Sequence, residues 1–566
     1  MKSALLLALV CVISAVVTAQ PQSRLQPPFV GVGVSYPAEL TRDRERTASD
    51  FEEIYTLGFN SIRLSLSWAD AEPARGQYRF DALDRAMDLA GRAGLGVILR
   101  LDTASPPGWL FERYPDGRHV PAEPAGRRPL PSACLDHPGV RRDVEAYLSA
   151  VSAHAGKHVA WQAVEVGSDL DAGFCLCPHT ARRFREWTNA TSGSAGRSAE
   201  QRTTDRAAFI AFERRDHLAW LAGAMWQGPR LLTSVSRLPS ILQSPRAGAG
   251  QDDWLMARVV GRYGTLLPPD TNGPVVLLAS RAAFGLDGLR GAAGDNGWVA
   301  DLAGETPAAD LRLWTWTAVA RGARAAIYGD WRTAATKADV ALVGPDDAVS
   351  DRAKVAGGLA RVIGRNPALF APLRTRHARV SFVYDSRTDA ASVDWLRVYK
   401  VFFDRNIQVD VLNISELPAG AVDGYLLAVS APLAGLPPLA AAAIKAYTAG
   451  GGKVLTVSAR GPTIAEIVRT ATGAGVVPDV RIGGATGAVE TRFLESADVL
   501  MLIGLNHTDA RQRVTMTFPP DTQEAIWQNM ETGAAVNFVA GPEGPTYTYT
   551  FNPRDALVLM IRKNIR

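Results

Sequence analysis

Several charged and aromatic residues in this 566-residue sequence stand at the ends of apolar runs, where a fold could bring them together. Glu165 closes "HVAWQAVE" (158–165), and Asp301 lies in "GWVADL" (297–302), with Glu305 four residues further on. "SIRLSLSW" (61–68) contains Arg63 and Trp68, and "LGVILRLD" (95–102) ends in Asp102, with Trp109 in the loop beyond. "RAAIYGDW" (324–331) ends in Asp330 and Trp331, and Arg332 follows. If these runs are strands ending on one rim, that rim gathers carboxylates, aromatic rings and a guanidinium. Such a rim suits a sugar, because rings stack on its apolar faces and charged groups bond its hydroxyls. Two carboxylates flanking one bond are what glycoside hydrolysis requires. Plainer readings stand beside these: a solvated strand-end carboxylate for Glu165, a rim salt bridge for Arg63, and core packing for Trp298, Trp314 and Trp316. Trp331, at a strand end, is better placed as a stacking platform.

The elements that must position these residues form an alternating series. "FVGVGVS" (29–35) reads as a strand and "ASDFEEIYTLG" (48–58) as a helix stopped by Gly58. The runs 61–68, 95–102 and 158–165 are strands two to four, with helical stretches at 80–94 and 139–156 between them. "PRLLTSVS" (229–236) and "YGTLLPP" (263–269) are weaker strand candidates; 297–302 and 324–331 bring the count to eight, with helix 309–322 between the last two. Eight alternations predict a (β/α)8 TIM barrel over 29–374, where function collects at the carboxyl ends of the strands. An open doubly wound sheet is the alternative, but no glycine-rich phosphate fingerprint follows the first strand.

After the barrel the pattern restarts. Strand candidates at 378–385, 407–413, 424–432 and 452–459, with helices at 393–406 and 439–451, predict a small parallel α/β domain over 375–481. Short strands with turn residues between them predict a β-sandwich over 482–566.

The net charge of +4, with both signs interspersed and no basic run, argues against a nucleic-acid partner. Lys2 precedes the apolar "ALLLALVCVISAVV", and small residues follow at "VTAQ". This predicts a secretory signal peptide over 1–19, cleaved after Ala19, a linker over 20–28, and a secreted or periplasmic mature chain without a membrane anchor. Cleavage leaves Cys134, Cys175 and Cys177, an odd number; a metal site, one disulfide with a free thiol, and free thiols all stay open.

The segments "GVSYPAEL", "GFNSIRLSLSWADAEPARGQYRFDALDRAMDLAGRAGLGVILRLDTASPPGWL", "WQAVEVG…CLCPHTARRFREW" and "DLRLWTWTAVARGARAAIYGDWR" resemble glycoside hydrolase family 42, the β-galactosidase family. The resemblance implies a barrel, then a flavodoxin-like domain used for trimerisation, then a β-sandwich. It implies a retaining glycosidase acting on an oligosaccharide or polysaccharide, without a catalytic cofactor. Glu165 falls on the acid/base position, Asp301 on the nucleophile position, and Arg63 on a substrate-contacting arginine. Cys134, Cys175 and Cys177 match three of four cysteines that bind structural zinc in some members; Thr180 holds the fourth position, and His179 beside it could serve. The sequence departs from the family pattern at Val164, where an asparagine bonds the sugar, and at Asp301, one methylene short of glutamate, which withdraws the carboxylate by about 1–1.5 Å. Glu305 is a second candidate for that role. A glutamate and a histidine that grip galactose in the family have no counterpart after "GDWR". These departures also support an alternative: a carbohydrate-binding protein that kept the fold and lost catalysis.

Overall fold

A computed structural model describes residues 31–36, 41–103, 106–121, 132–167, 174–192, 199–225, 231–243, 251–268, 275–302, 304–333, 340–385, 395–458, 460–484, 487–522 and 527–563. The expected leader, its cleavage point and the 20–28 linker lie outside these residues. Among the described residues, no helix is long and apolar enough to cross a membrane.

Eight parallel strands close into a barrel in sequence order: β1 (Gly31–Tyr36), β2 (Ser61–Ser67), β3 (Gly96–Asp102), β4 (Trp161–Glu165), β5 (Leu231–Ser236), β6 (Arg262–Leu267), β7 (Trp298–Leu302) and β8 (Ala323–Asp330). Trp68 does not end β2. It opens the one-turn helix Trp68–Ala71, because the Ser67 side chain accepts from the Asp70 N–H and caps the turn. The surrounding helices follow from their spacing: in Asp81–Ala93 the buried residues Leu83, Ala86, Met87 and Ala90 form one stripe, and Gly94 (φ 77°) ends the helix in the left-handed conformation.

Strand alternation decides what enters the barrel. On β3, Val97, Leu99 and Leu101 join the layer packed against helices. Ile98 instead joins Ala163, Val235, Val299, Ala325 and Ile327 in an apolar plug inside the barrel. Two residues further along their strands stand Arg100, Glu165 and Asp301. On these three strands the inward-facing charges therefore stand at the carboxyl-terminal mouth, just above the plug.

The second domain is a four-stranded parallel sheet in the order Val409–Asn413, Val380–Tyr384, Leu427–Ser430, Lys453–Thr456. Its aromatic helix, Trp395–Phe403, packs toward the barrel: Phe284 of helix Val275–Ala293 meets Phe382 and Tyr399. The carboxyl-terminal domain has a three-stranded sheet and a six-stranded sheet. In the larger sheet, Val499–Asn506 is apolar on both faces: Met501, Ile503 and Leu505 belong to the barrel-side core, and Leu500 and Leu502 to the sandwich core. One edge of this sheet is Arg374–Thr375, the chain that leaves the barrel, paired antiparallel with Leu494 and Glu495.

Candidate active site

Arg63, Glu165 and Asp301 meet at the barrel mouth. Arg63 Nη1 lies 2.6 Å from Asp301 Oδ2 and 3.4 Å from Glu165 Oε2, and Nη2 donates to Asp301 Oδ1 at 3.2 Å. Two oxygens sharing one nitrogen cannot be farther apart than the two legs laid end to end, so the carboxylate oxygens are within about 6 Å of each other. Retaining glycosidases hold the pair about 5–5.5 Å apart and inverting ones about 6.5–9.5 Å. Glu165 is 2% and Asp301 6% exposed, so both charges have been taken largely out of water. Ser35 of β1 accepts from Arg63 Nε at 3.0 Å and fixes the plane of the guanidinium. Burial alone would lower the Arg63 pKa; the charges of Asp301 and Glu165 outweigh it, and the net shift is upward. Arg63 therefore stays cationic throughout any reaction here.

Arg100 is a member of the mouth that the sequence reading missed. Its Nε lies 3.4 Å from Glu165 Oε1, and its side chain is 38% exposed. The signal was available: Arg100 follows Ile98 by two on β3 and so faces inward.

The other expected site residues go elsewhere. Val164 alternates with Glu165 and lies in the helix-facing core, so its side chain is not beside the carboxylates. Glu305 is exposed in the turn after β7 and does not take the place of Asp301. Trp331 is fully buried, and its backbone is tied at both ends, its N–H to Ser35 O and its C=O to the Val343 N–H. It is a packed wall of the core and no open platform. Arg332 is spent on Asp50 and Asp347, joining the strand end to the first helix. Trp109 is half-buried, donates its indole N–H to Glu72 O at 3.0 Å and meets Trp68 edge-on. Trp298 and Trp316 are buried packing residues, as expected.

The three cysteines do converge: their sulfurs all lie within 4.8 Å of one another, with Cys134 and Cys177 at 3.3 Å. The fourth corner is Thr180, whose Oγ1 is 3.7 Å from Cys134 Sγ and 3.5 Å from Cys177 Sγ. His179 does not supply a fourth ligand. At the start of helix Pro178–Ser192 the two neighbours point about 100° apart. His179 Nε2 bonds Asp116 at 3.1 Å, and its ring packs on His137. The Thr180 hydroxyl donates to Asp136, which is also held by His217 and Arg183. Three sulfurs and an engaged hydroxyl are one donor short of a closed zinc site, so the residues present do not complete it. Beside Asp136, burial first and the Asp136 hydrogen bond second push the Glu213 carboxyl up to about 10.

Comparison with known proteins gives the same direction as this geometry. The Glyco_hydro_42 (Beta-galactosidase) family model matches residues 36–198. Beta-galactosidase BgaA of Clostridium cellulovorans is 28% identical over 161 residues, 28% of this chain and 24% of that relative's length. A Beta-galactosidase of Thermus thermophilus is 24% identical over 489 residues, 73% of each protein. Among solved structures, a catalytic mutant of Gan42B, a GH42 beta-galactosidase from G. stearothermophilus, superposes with a TM-score of 0.76 at 15% identity, covering 95% of this chain and 99% of that one. The fold is therefore shared along nearly the whole chain, and the family model matches residues 36–198 of it.

Proposed function

Because this chain is a divergent relative of glycoside hydrolase family 42, we propose that it is a β-galactosidase-like glycoside hydrolase that cleaves a terminal sugar from an oligosaccharide or polysaccharide. One observation carries the reading: Arg63 Nη1 bridges Glu165 and Asp301, which holds oxygens of two buried carboxylates within about 6 Å of each other, below the range inverting enzymes need and in support of a retaining pair. In that role Asp301 attacks the anomeric carbon while Glu165 protonates the departing oxygen, which breaks the glycosidic bond and forms a glycosyl ester. Glu165, now a carboxylate, takes a proton from water, and the hydroxide equivalent displaces Asp301 from the sugar. Arg63 holds Asp301 in line and stabilises its charge whenever the ester is absent.

The test is release of nitrophenol from a panel of aryl glycosides, with the anomer followed by NMR. Net retention on at least one sugar is expected. Folded protein inactive on every sugar would remove the proposal.

A second reading has its own observation. Arg63 engages both oxygens of Asp301, at 2.6 and 3.2 Å, and so competes for the nucleophile's lone pairs. A chain that binds sugar and does not turn it over would show saturable heat in calorimetry without product. The apolar amino-terminal segment supports export, which sequencing of the mature amino terminus from a secreting host checks. The family likeness supports a homotrimer, which light scattering on the eluting protein checks.

A further inference from the structure

At the amino-terminal end of the barrel, two imidazoles close on one carboxylate oxygen. His154 lies in the last turn of helix Pro138–Ala155, and His158 follows four residues later, shortly before β4 begins. Asp84 lies in the first turn of helix Asp81–Ala93. His154 Nε2 is 2.5 Å and His158 Nε2 2.8 Å from the same atom, Asp84 Oδ1. The three donor atoms all lie within 4.8 Å of one another. The Phe80 ring packs on the His154 ring, with centroids 4.4 Å apart, and steadies it. β4 begins beside this cluster and ends at Glu165, so the cluster is at the opposite end of the barrel from the paired carboxylates.

A second carboxylate decides what the cluster can hold. Asp88, one turn on from Asp84, places Oδ1 3.2 Å from His158 Nδ1. A carboxylate there draws the proton of a neutral His158 to Nδ1 and turns the bare Nε2 lone pair toward Asp84. A lone pair facing a carboxylate oxygen at 2.8 Å needs a cation between the two, a second proton or a metal ion. Two other clusters of the same residue types are already satisfied. His137 Nδ1 accepts from the N–H groups of Gly139 and Val140, so its proton is on Nε2 and faces Asp116. Asp136 and His217 already have a cation with them, Arg183, whose Nη1 bonds Asp136 and lies 3.2 Å from His217 Nε2.

We propose that Asp84, His154 and His158 bind a divalent transition-metal ion of the zinc class, with Asp88 orienting His158 from behind. Two imidazoles and one carboxylate suit zinc and its neighbours, whereas magnesium and calcium take oxygen ligands. Zinc stands about 2.0–2.2 Å from such donors, so tetrahedral donors are about 3.4 Å apart and Asp84 must draw back by less than about 1 Å. The Asp84 side chain is 37% exposed and has room to do so, and water fills the fourth position. The ion ties helix Asp81–Ala93 to the turn that leads into β4, a structural clamp that takes no part in the sugar chemistry.

The full chain, stripped with a chelator, is titrated with cobalt(II), whose spectrum reports its ligands, and with zinc, followed by calorimetry and melting temperature. His154→Gln is expected to bind one cobalt ion fewer than the parent. The parent-minus-variant spectrum is expected to show weak visible d–d bands and no thiolate charge-transfer band, which separates this site from the three cysteines. Zinc is expected to raise the parent's melting temperature with the logarithm of its concentration. His154→Gln is expected to melt close to the parent in chelator and to gain less from zinc. Asp88→Ala, which removes no ligand, is expected to weaken cobalt binding about tenfold while the d–d bands keep their shape. Superimposable cobalt spectra of the parent and His154→Gln, a difference spectrum carrying the thiolate band, or undiminished affinity in Asp88→Ala would overturn the proposal.

Discussion

The arginine–carboxylate cluster at the barrel mouth contrasts with another where the three domains meet. At the junction, Asp287 of the barrel receives Arg492 at 2.8 Å, Arg321 at 3.4 Å and the Tyr399 hydroxyl at 2.7 Å. Glu490 of the sandwich receives Arg321 at 2.6 Å, Arg492 at 2.8 Å and His507 at 3.0 Å. Glu490 has two guanidiniums and a histidine, and Asp287 has three, Arg290 standing at 3.5 Å, and a tyrosine hydroxyl, all of them with little exposure to water. The mouth is thinner. Arg63 is divided between two acids, and the other cation, Arg100, stands at 3.4 Å and is partly in water. The same residue types therefore serve opposite ends. The junction cluster ties three domains together, and the mouth cluster sets two carboxylates facing each other across one shared arginine.

That contrast is open to experiment, and the largest effect should come at the mouth. Glu165→Gln is expected to lower kcat/KM by about 10²–10⁴-fold for a leaving group that needs a proton, and far less for an acidic phenol, with the melting temperature nearly unchanged. Steady-state kinetics on two aryl glycosides checks both halves. Arg492→Leu is expected to behave in the reverse sense. It leaves Asp287 and Glu490 undercompensated and lowers stability by about 3–5 kcal/mol, while kcat per folded molecule holds; urea unfolding with active-site titration reads this.

A pH effect comes next. Glu213 keeps its proton in the folded chain up to about 10, and the unfolded chain loses it in the ordinary carboxyl range. Across that window the folded state holds more protons, so this group's contribution to stability falls as pH rises. Glu213→Gln should remove a slope of at most about 1.36 kcal/mol per pH unit and make the protein relatively more stable in alkali, which melting curves from pH 5 to 9 will show. The smallest effect is Arg100→Gln. Without that charge one cation beside Glu165 is gone, and kcat/KM should fall by less than about fivefold. An unchanged kcat/KM would mean that Arg100 does not act on Glu165.

Much of the barrel was legible because burial writes period-two and helical patterns into the sequence. Those patterns placed Arg63, Glu165 and Asp301 on barrel strands, and the family resemblance gave them their roles. The same rule, applied strictly, would have turned Val164 away from the mouth and brought Arg100 into it. His179 was misplaced because neighbours in a helix diverge by about 100°, a fact that the family comparison of cysteine positions does not carry. Trp331 looked like a platform because it follows a strand end, and only the pairing of its backbone with Ser35 and Val343 shows it drawn into the core. The edge strand Arg374–Thr375 was not legible at all: two residues have no pattern, and their partner comes more than a hundred residues later.

That edge strand bears on how the chain is made. A ribosome delivers Arg374 and Thr375 long before Leu494 and Glu495 exist to pair with them. Until the strands Val499–Asn506 and Asp555–Arg562 emerge, helix Ala308–Val319 lacks the sheet that packs on it. The nascent barrel must wait, partly bare, for those strands, and a message truncated before them should yield a product that aggregates.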